Sequence, residues 1–155
     1  MKKETLITLI TASLALLFFY AAVTKLMHYE QSRYEMYKQL FARDIAEVLT
    51  WLLPVTELLL VLLLLIKSTR LKGLYATLIV LIVFTIYIAV AMSGIFGKKP
   101  CACGGVIEWL NYWQHLGLNF FFIVVAALGI ALEKQWKPIN RWFHVVNGKE
   151  GTGLN

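Results

Sequence analysis

The stretch LYATLIVLIVFTIYIAVAMSGIF, residues 74–96, contains no charged side chain over 23 residues. A helix rises about 1.5 Å per residue, so roughly 20 apolar residues cross the ~30 Å hydrocarbon core of a bilayer. Inside lipid the backbone has no water to bond, and an isolated run satisfies its own N–H and C=O groups only as a helix. The stretch therefore predicts a transmembrane helix.

Working outward, the link KSTRLKG (67–73) joins it to a second apolar run, residues 48–66. So short a link makes the two antiparallel neighbours. A third run covers residues 6–26 and a fourth residues 112–132. The first run follows Lys2 and Lys3 but exceeds a signal-peptide core, and no small-x-small cleavage pattern follows it. The expected fold is an all-α membrane protein, a four-transmembrane-helix bundle spanning residues 1–133. Residues 134–155 are expected to form a cytoplasmic tail, with KQWKPINRWFHVV (134–146) as an interfacial anchor and the end disordered.

Composition agrees. Hydrophobic residues make up 59% of the 155-residue chain and charged residues 15%, against about a quarter in soluble domains. The net charge is +6. The basic residues cluster between apolar runs and not along one stripe, which fits lipid headgroups and argues against nucleic acid. Lys2, Lys3, Lys67, Arg70, Lys72, Lys134, Lys137, Arg141 and Lys149 fall on one side. Lys25, Arg33, Lys38, Arg43, Lys98 and Lys99 fall on the other. Nine cations against six put both termini in the cytoplasm of a bacterial inner membrane. The segment HYEQSRYEMYKQLFARD (28–44) is then periplasmic. The spacing of Tyr34, Tyr37, Leu40 and Phe41 predicts a short amphipathic helix on the outer interface.

The only cysteines, Cys101 and Cys103, lie in PCACGG (100–105) between helices three and four, on the same outer side. Disulfides persist in such an oxidising compartment. A staple across one residue removes little chain entropy and is a poor stability device. A strained pair is easily reduced, which suits exchange chemistry. Lys98 and Lys99 favour the thiolate. A static staple remains one alternative. A metal site of Cys101, Cys103 and His115 is another, short of a fourth ligand.

Polar side chains inside the apolar runs are costly and mark function. Glu57 sits roughly 13 Å deep in helix two at 1.5 Å per residue. Lys25, near the end of helix one, is its expected ion-pair partner. His115 and Asn119 are one turn apart and share a helix face. With Trp113 they outline a pocket suited to a quinone ring, while helix-to-helix glue is the plainer reading. Glu57 and His115 are the expected proton handlers beside the cysteine pair.

Several segments carry a family resemblance. They are Ala22-Val23-Thr24-Lys25-Leu26, Pro54-Val55-Thr56-Glu57-Leu58, Gly73-Leu74-Tyr75-Ala76 and Phe84-Thr85-Ile86-Tyr87-Ile88. To these add Pro100-Cys101-Ala102-Cys103-Gly104-Gly105-Val106-Ile107 and the Trp113…His115…Asn119…Phe122 pattern. Over about residues 6–132 the chain resembles the MauE branch of the DoxX-like membrane proteins, in its Bacteroidetes-type version. Founding members assist maturation of methylamine dehydrogenase, whose small subunit needs many disulfides. The resemblance implies periplasmic thiol–disulfide redox, a thiol–disulfide oxidoreductase component, and a thioredoxin-like or multi-disulfide partner. The alternative is a non-catalytic DoxX-like subunit or a small-molecule or metal-binding module.

Overall fold

A computed structural model describes residues 3–38, 42–93 and 112–147. These form five helices: α1 (Lys3–Met27), α2 (Tyr29–Tyr37), α3 (Arg43–Leu65), α4 (Arg70–Met92) and α5 (Tyr112–Asn147). Four of them are long and apolar enough to cross a membrane: Lys3–Met27, Arg43–Leu65, Arg70–Val90 and Trp113–Lys134. They are the four runs read from the sequence.

The long helices close into a ring. The most extensive contacts run along α1–α3 and α4–α5, and α3–α4 and α1–α5 complete the circuit. The inward stripe of α1 is Ile7, Thr11, Leu14, Ala15, Phe18, Ala21 and Ala22, the spacing of one helix face. Leu14, Ala15 and Phe18 meet Leu60, Val61 and Leu64 of α3, Leu74 and Leu81 of α4, and Ala126 and Ile130 of α5. The outer surface is also apolar, with Leu16 at 68% exposure and Leu59, Val83 and Phe120 likewise exposed. Such a belt suits hydrocarbon and not water.

Small residues let the helices approach. A Cβ on Gly73 would lie 2.9 Å from the Leu63 carbonyl carbon, so the start of α4 sits directly on the α3 backbone. A Cβ on Gly129 would lie 2.9 Å from Ile10 Cγ2 and 3.0 Å from Leu74 Cδ2, where α5 meets α1 and α4. Four threonine hydroxyls within the spans are satisfied by their own helix. Thr11, Thr50, Thr56 and Thr85 each donate to the carbonyl four residues back, at 3.0, 2.8, 2.8 and 2.7 Å. That is the local solution where water is absent.

The helices start earlier or end later than hydropathy alone indicates. α3 begins at Arg43 and not near residue 48, and α5 continues to Asn147 beyond residue 132. Hydropathy marks where lipid surrounds the chain, while helical hydrogen bonding runs on through the interface. Asp44 in the first turn of α3 complements its dipole. The short helix expected in 28–44 is α2, packed against α3. Its buried residues are Ser32 and Met36, one turn apart, while Tyr34 is exposed. Leu40 and Phe41 lie outside the described residues.

Candidate functional site

α1 ends, α3 begins, α4 ends and α5 begins at the end of the bundle that carries α2. Four polar side chains of these helices are buried or nearly so. Lys25 lies in the last turn of α1, where the carbonyl end of the dipole favours a cation. Glu57 lies on α3, three residues after Pro54. Pro54 has no N–H to give the Thr50 carbonyl, so the helical ladder is interrupted one turn above the acid. Lys25 Nζ donates to Glu57 Oε1 at 2.5 Å, and the two side chains are 11% and 13% exposed. Their distance in sequence is 32 residues. Ser32 of α2 donates to the Lys25 carbonyl at 3.4 Å, which ties α2 to the same turn.

His115 and Asn119 of α5 face inward, each 6% exposed. The His115 ring stands edge-on to Phe84 of α4, with centroids 6.4 Å apart. All four spanning helices thus contribute: Lys25 from α1, Glu57 from α3, Phe84 from α4, and His115 and Asn119 from α5. Trp113 is 74% exposed and faces outward. It belongs with the interfacial aromatics, as does Trp51, whose ring tilts against Tyr29 of α2 at 5.1 Å.

Three polar atoms of this cluster are buried and make no hydrogen bond among the described residues: Glu57 Oε2, His115 Nδ1 and Asn119 Nδ2. Each such atom costs about 1–3 kcal/mol. Helix-to-helix glue would engage them; the Lys25–Glu57 contact uses Oε1 and leaves all three without a partner among the described residues. The cluster offers both kinds of hydrogen-bond partner. Glu57 Oε2 accepts, Asn119 Nδ2 donates, the Lys25 ammonium has further N–H groups, and the imidazole does either according to its tautomer.

Cys101 and Cys103, with Lys98 and Lys99, lie outside the described residues. Connectivity alone places a limit on them. Their segment joins Ser93, just after α4, to Tyr112 at the start of α5, three residues before His115. Two members of the alternative metal set, Cys101 and Cys103, share that segment. No group of three metal-ligating side chains occurs among the described residues.

The opposite half of the bundle holds buried polar groups that hydropathy reading passed over. Thr77 is fully buried with Oγ1 unbonded among the described residues, and the Arg70 Nε atom is in the same condition. Glu133 is buried as well. Register was the missing signal. Arg70, Thr77 and Phe84 recur every seven residues on one face of α4. Glu133 extends the inward stripe of Asn119, Ala126 and Ile130 on α5.

Residues 3–132 match the family model described as methylamine utilisation protein MauE. Comparison with curated proteins and with solved structures finds no match.

Proposed function

The chain belongs to the family of methylamine utilisation protein MauE, and from that premise we propose that it serves thiol–disulfide redox at the outer face of the bacterial inner membrane. Cys101 and Cys103 exchange with a secreted thioredoxin-like or multi-disulfide protein during its maturation. In the exchange, a thiolate of one partner attacks a disulfide sulfur of the other. A mixed disulfide forms, and the second thiol resolves it. One dithiol is oxidised as one disulfide is reduced, so the step needs no outside oxidant. Glu57 and His115 take up and return the thiol protons.

One observation carries this reading. The Lys25–Glu57 ion pair and the buried His115 and Asn119 belong to helices whose ends hold or adjoin the cysteine segment. Whatever path residues 94–111 take, they start within three turns of Phe84 and end within one turn of His115. Proton-linked redox chemistry needs ionisable groups within reach of the sulfurs, and tethering at both ends supports that reading. The excess of Lys and Arg on the opposite end supports reading this end as the outer one. The family description names methylamine utilisation, and the secreted partner on this reading is a protein of that kind of pathway.

The test is covalent trapping in intact membranes. Cys101→Ser and Cys103→Ser each leave one sulfur, and one of the two variants should accumulate a disulfide-linked partner. Failure of both, with a wild-type pair that stays reduced in the cell, overturns the redox reading. A second reading is a non-catalytic DoxX-like subunit, favoured by the Lys25–Glu57 pair acting purely as a clasp between α1 and α3. In that case the double cysteine variant keeps full function, and loss appears only with Lys25→Ala or Glu57→Ala.

A further inference from the structure

We propose that the cleft between α2 and the first turns of α3 binds the headgroup of phosphatidylethanolamine, a phosphodiester joined to a primary ammonium. The site is independent of the cysteine chemistry. The cleft has a volume of about 420 Å³ and is lined by Glu30, Arg33 and Tyr37 of α2 and by Arg43, Asp44 and Glu47 of α3. Part of the lining is held in place by the protein itself. Arg33 Nε donates to Tyr37 Oη at 2.9 Å, and Arg33 Nη2 donates to Glu47 Oε1 at 3.1 Å. The guanidinium carbons of Arg33 and Arg43 stand 5.5 and 5.3 Å from the Tyr37 ring centre, so one ring positions both cations.

Depth favours a lipid. Trp51, one turn deeper than Glu47, tilts against Tyr29, the neighbour of Glu30, at 5.1 Å. A Trp–Tyr contact at the end of a span marks the membrane–water interface. At 1.5 Å per residue, positions 47 to 43 rise about 6 to 12 Å above Trp51. Each headgroup layer is about 5–8 Å thick, so the cleft lies where lipid headgroups are.

Charge narrows the headgroup. Arg33 and Glu47 neutralise each other. Among the described residues Arg43 has no carboxylate partner, and neither Glu30 nor Asp44 has a cation within ion-pair distance. A simple anion on Arg43 meets the two carboxylates, and a simple amine on the carboxylates meets Arg43. A zwitterion answers both. Its phosphate oxygens accept from Arg43, and its ammonium donates to Glu30 and Asp44. The nitrogen needs N–H groups, because carboxylates are acceptors. A quaternary ammonium needs free aromatic faces instead. Here Tyr37 already carries Arg33 and Arg43, and Tyr34, a further lining residue, carries Lys38 Nζ at 4.0 Å. Ethanolamine therefore suits the cleft better than choline, and an anionic glycerol headgroup suits it least.

The experiment is mass spectrometry of the lipids that the full chain retains on transfer from nanodiscs into mild detergent. The nanodiscs hold equal amounts of phosphatidylethanolamine, phosphatidylcholine and phosphatidylglycerol with identical acyl chains. Wild type should retain phosphatidylethanolamine over phosphatidylcholine about two- to fivefold, the scale of an exposed charge contact. Glu30→Gln/Asp44→Asn should bring that ratio to about one on the same scale, and Arg43→Ala should lower retention of phosphatidylethanolamine. These three side chains are exposed, so the variants should keep the wild-type thermal midpoint. Lys72→Ala, at the opposite end of the bundle, should leave the ratio unchanged. Equal retention of the three lipids, a preference for phosphatidylglycerol, or a ratio unmoved in Glu30→Gln/Asp44→Asn and Arg43→Ala overturns the site, as does a preference lost in Lys72→Ala. Excess water-soluble glycerophosphoethanolamine should not strip the retained lipid. If it does, the cleft takes a free zwitterion and the lipid proposal fails.

Discussion

Lys25 and Glu57 form the contact on which the interior of the upper bundle turns. A buried pair contributes little net stability, because desolvation of both charges offsets their attraction. Breaking it from one side is different, since a lone charge then remains in the apolar interior. Lys25→Ala and Glu57→Ala should each destabilise the protein by about 3–5 kcal/mol, seen as a large fall in thermal midpoint in detergent. The double variant Lys25→Met/Glu57→Leu removes both charges and should unfold later than either single variant. A double variant no more stable than the singles would show that the pair does more than neutralise itself. Trp113→Ala provides the contrast, because an exposed interfacial ring has no interior contact to lose. Its midpoint should stay within about 0.5 kcal/mol of wild type.

The helices meet through glycines, and the geometry at each predicts a different outcome. Gly73 faces backbone atoms of Leu63 and Leu64 at 2.9–3.0 Å, which cannot rotate away. Gly73→Ala should push α4 off α3 and cost about 1–3 kcal/mol. Gly129 faces the ends of the Ile10 and Leu74 side chains, which can shift, so Gly129→Ala should cost less. Gly117 has no atom within 4 Å of its Cβ position. Gly117→Ala should be neutral or stabilising by up to about 1 kcal/mol, from helix propensity alone. Thermal unfolding of the three variants in one detergent gives the order directly. The reverse order would mean that the α3–α4 seam is not as close as described. The same seam explains the tight link 67–73. Thr69 Oγ1 donates to the Leu63 carbonyl at 3.1 Å, and the Gly73 N–H reaches the Thr69 carbonyl at 2.9 Å, so the turn closes its own polar groups before α4 enters lipid.

For the molecule as a whole, the direction of insertion decides whether the proposed chemistry is available. The end with Lys67, Arg70 and Lys72 carries the denser positive charge, and the cysteine segment belongs to the other end. In sealed right-side-out cells, an impermeant thiol reagent applied after mild reduction should label Cys101 and Cys103. Labelling confined to broken cells would place the pair in the reducing cytoplasm, where the proposed exchange has no oxidising partner.

The four spans, their order and the short helix between the first two were legible in the sequence alone. Lipid solvation acts residue by residue, and a run of about 20 apolar side chains is a local property that needs no knowledge of neighbours. The one-turn spacing of His115 and Asn119 was legible for the same reason, because it depends only on helical pitch. Tertiary structure decided which polar side chains meet. Lys25 and Glu57 stand 32 residues apart, and their contact depends on how α1 and α3 rotate about their axes when small residues set the crossing. The corresponding rotations of α4 and α5 turned Trp113 outward, brought Phe84 against His115, and buried Thr77, Arg70 and Glu133 in the opposite half. Hydropathy averages over all faces of a helix, so it carries the length of a span but not its facing, and facing is what builds a site.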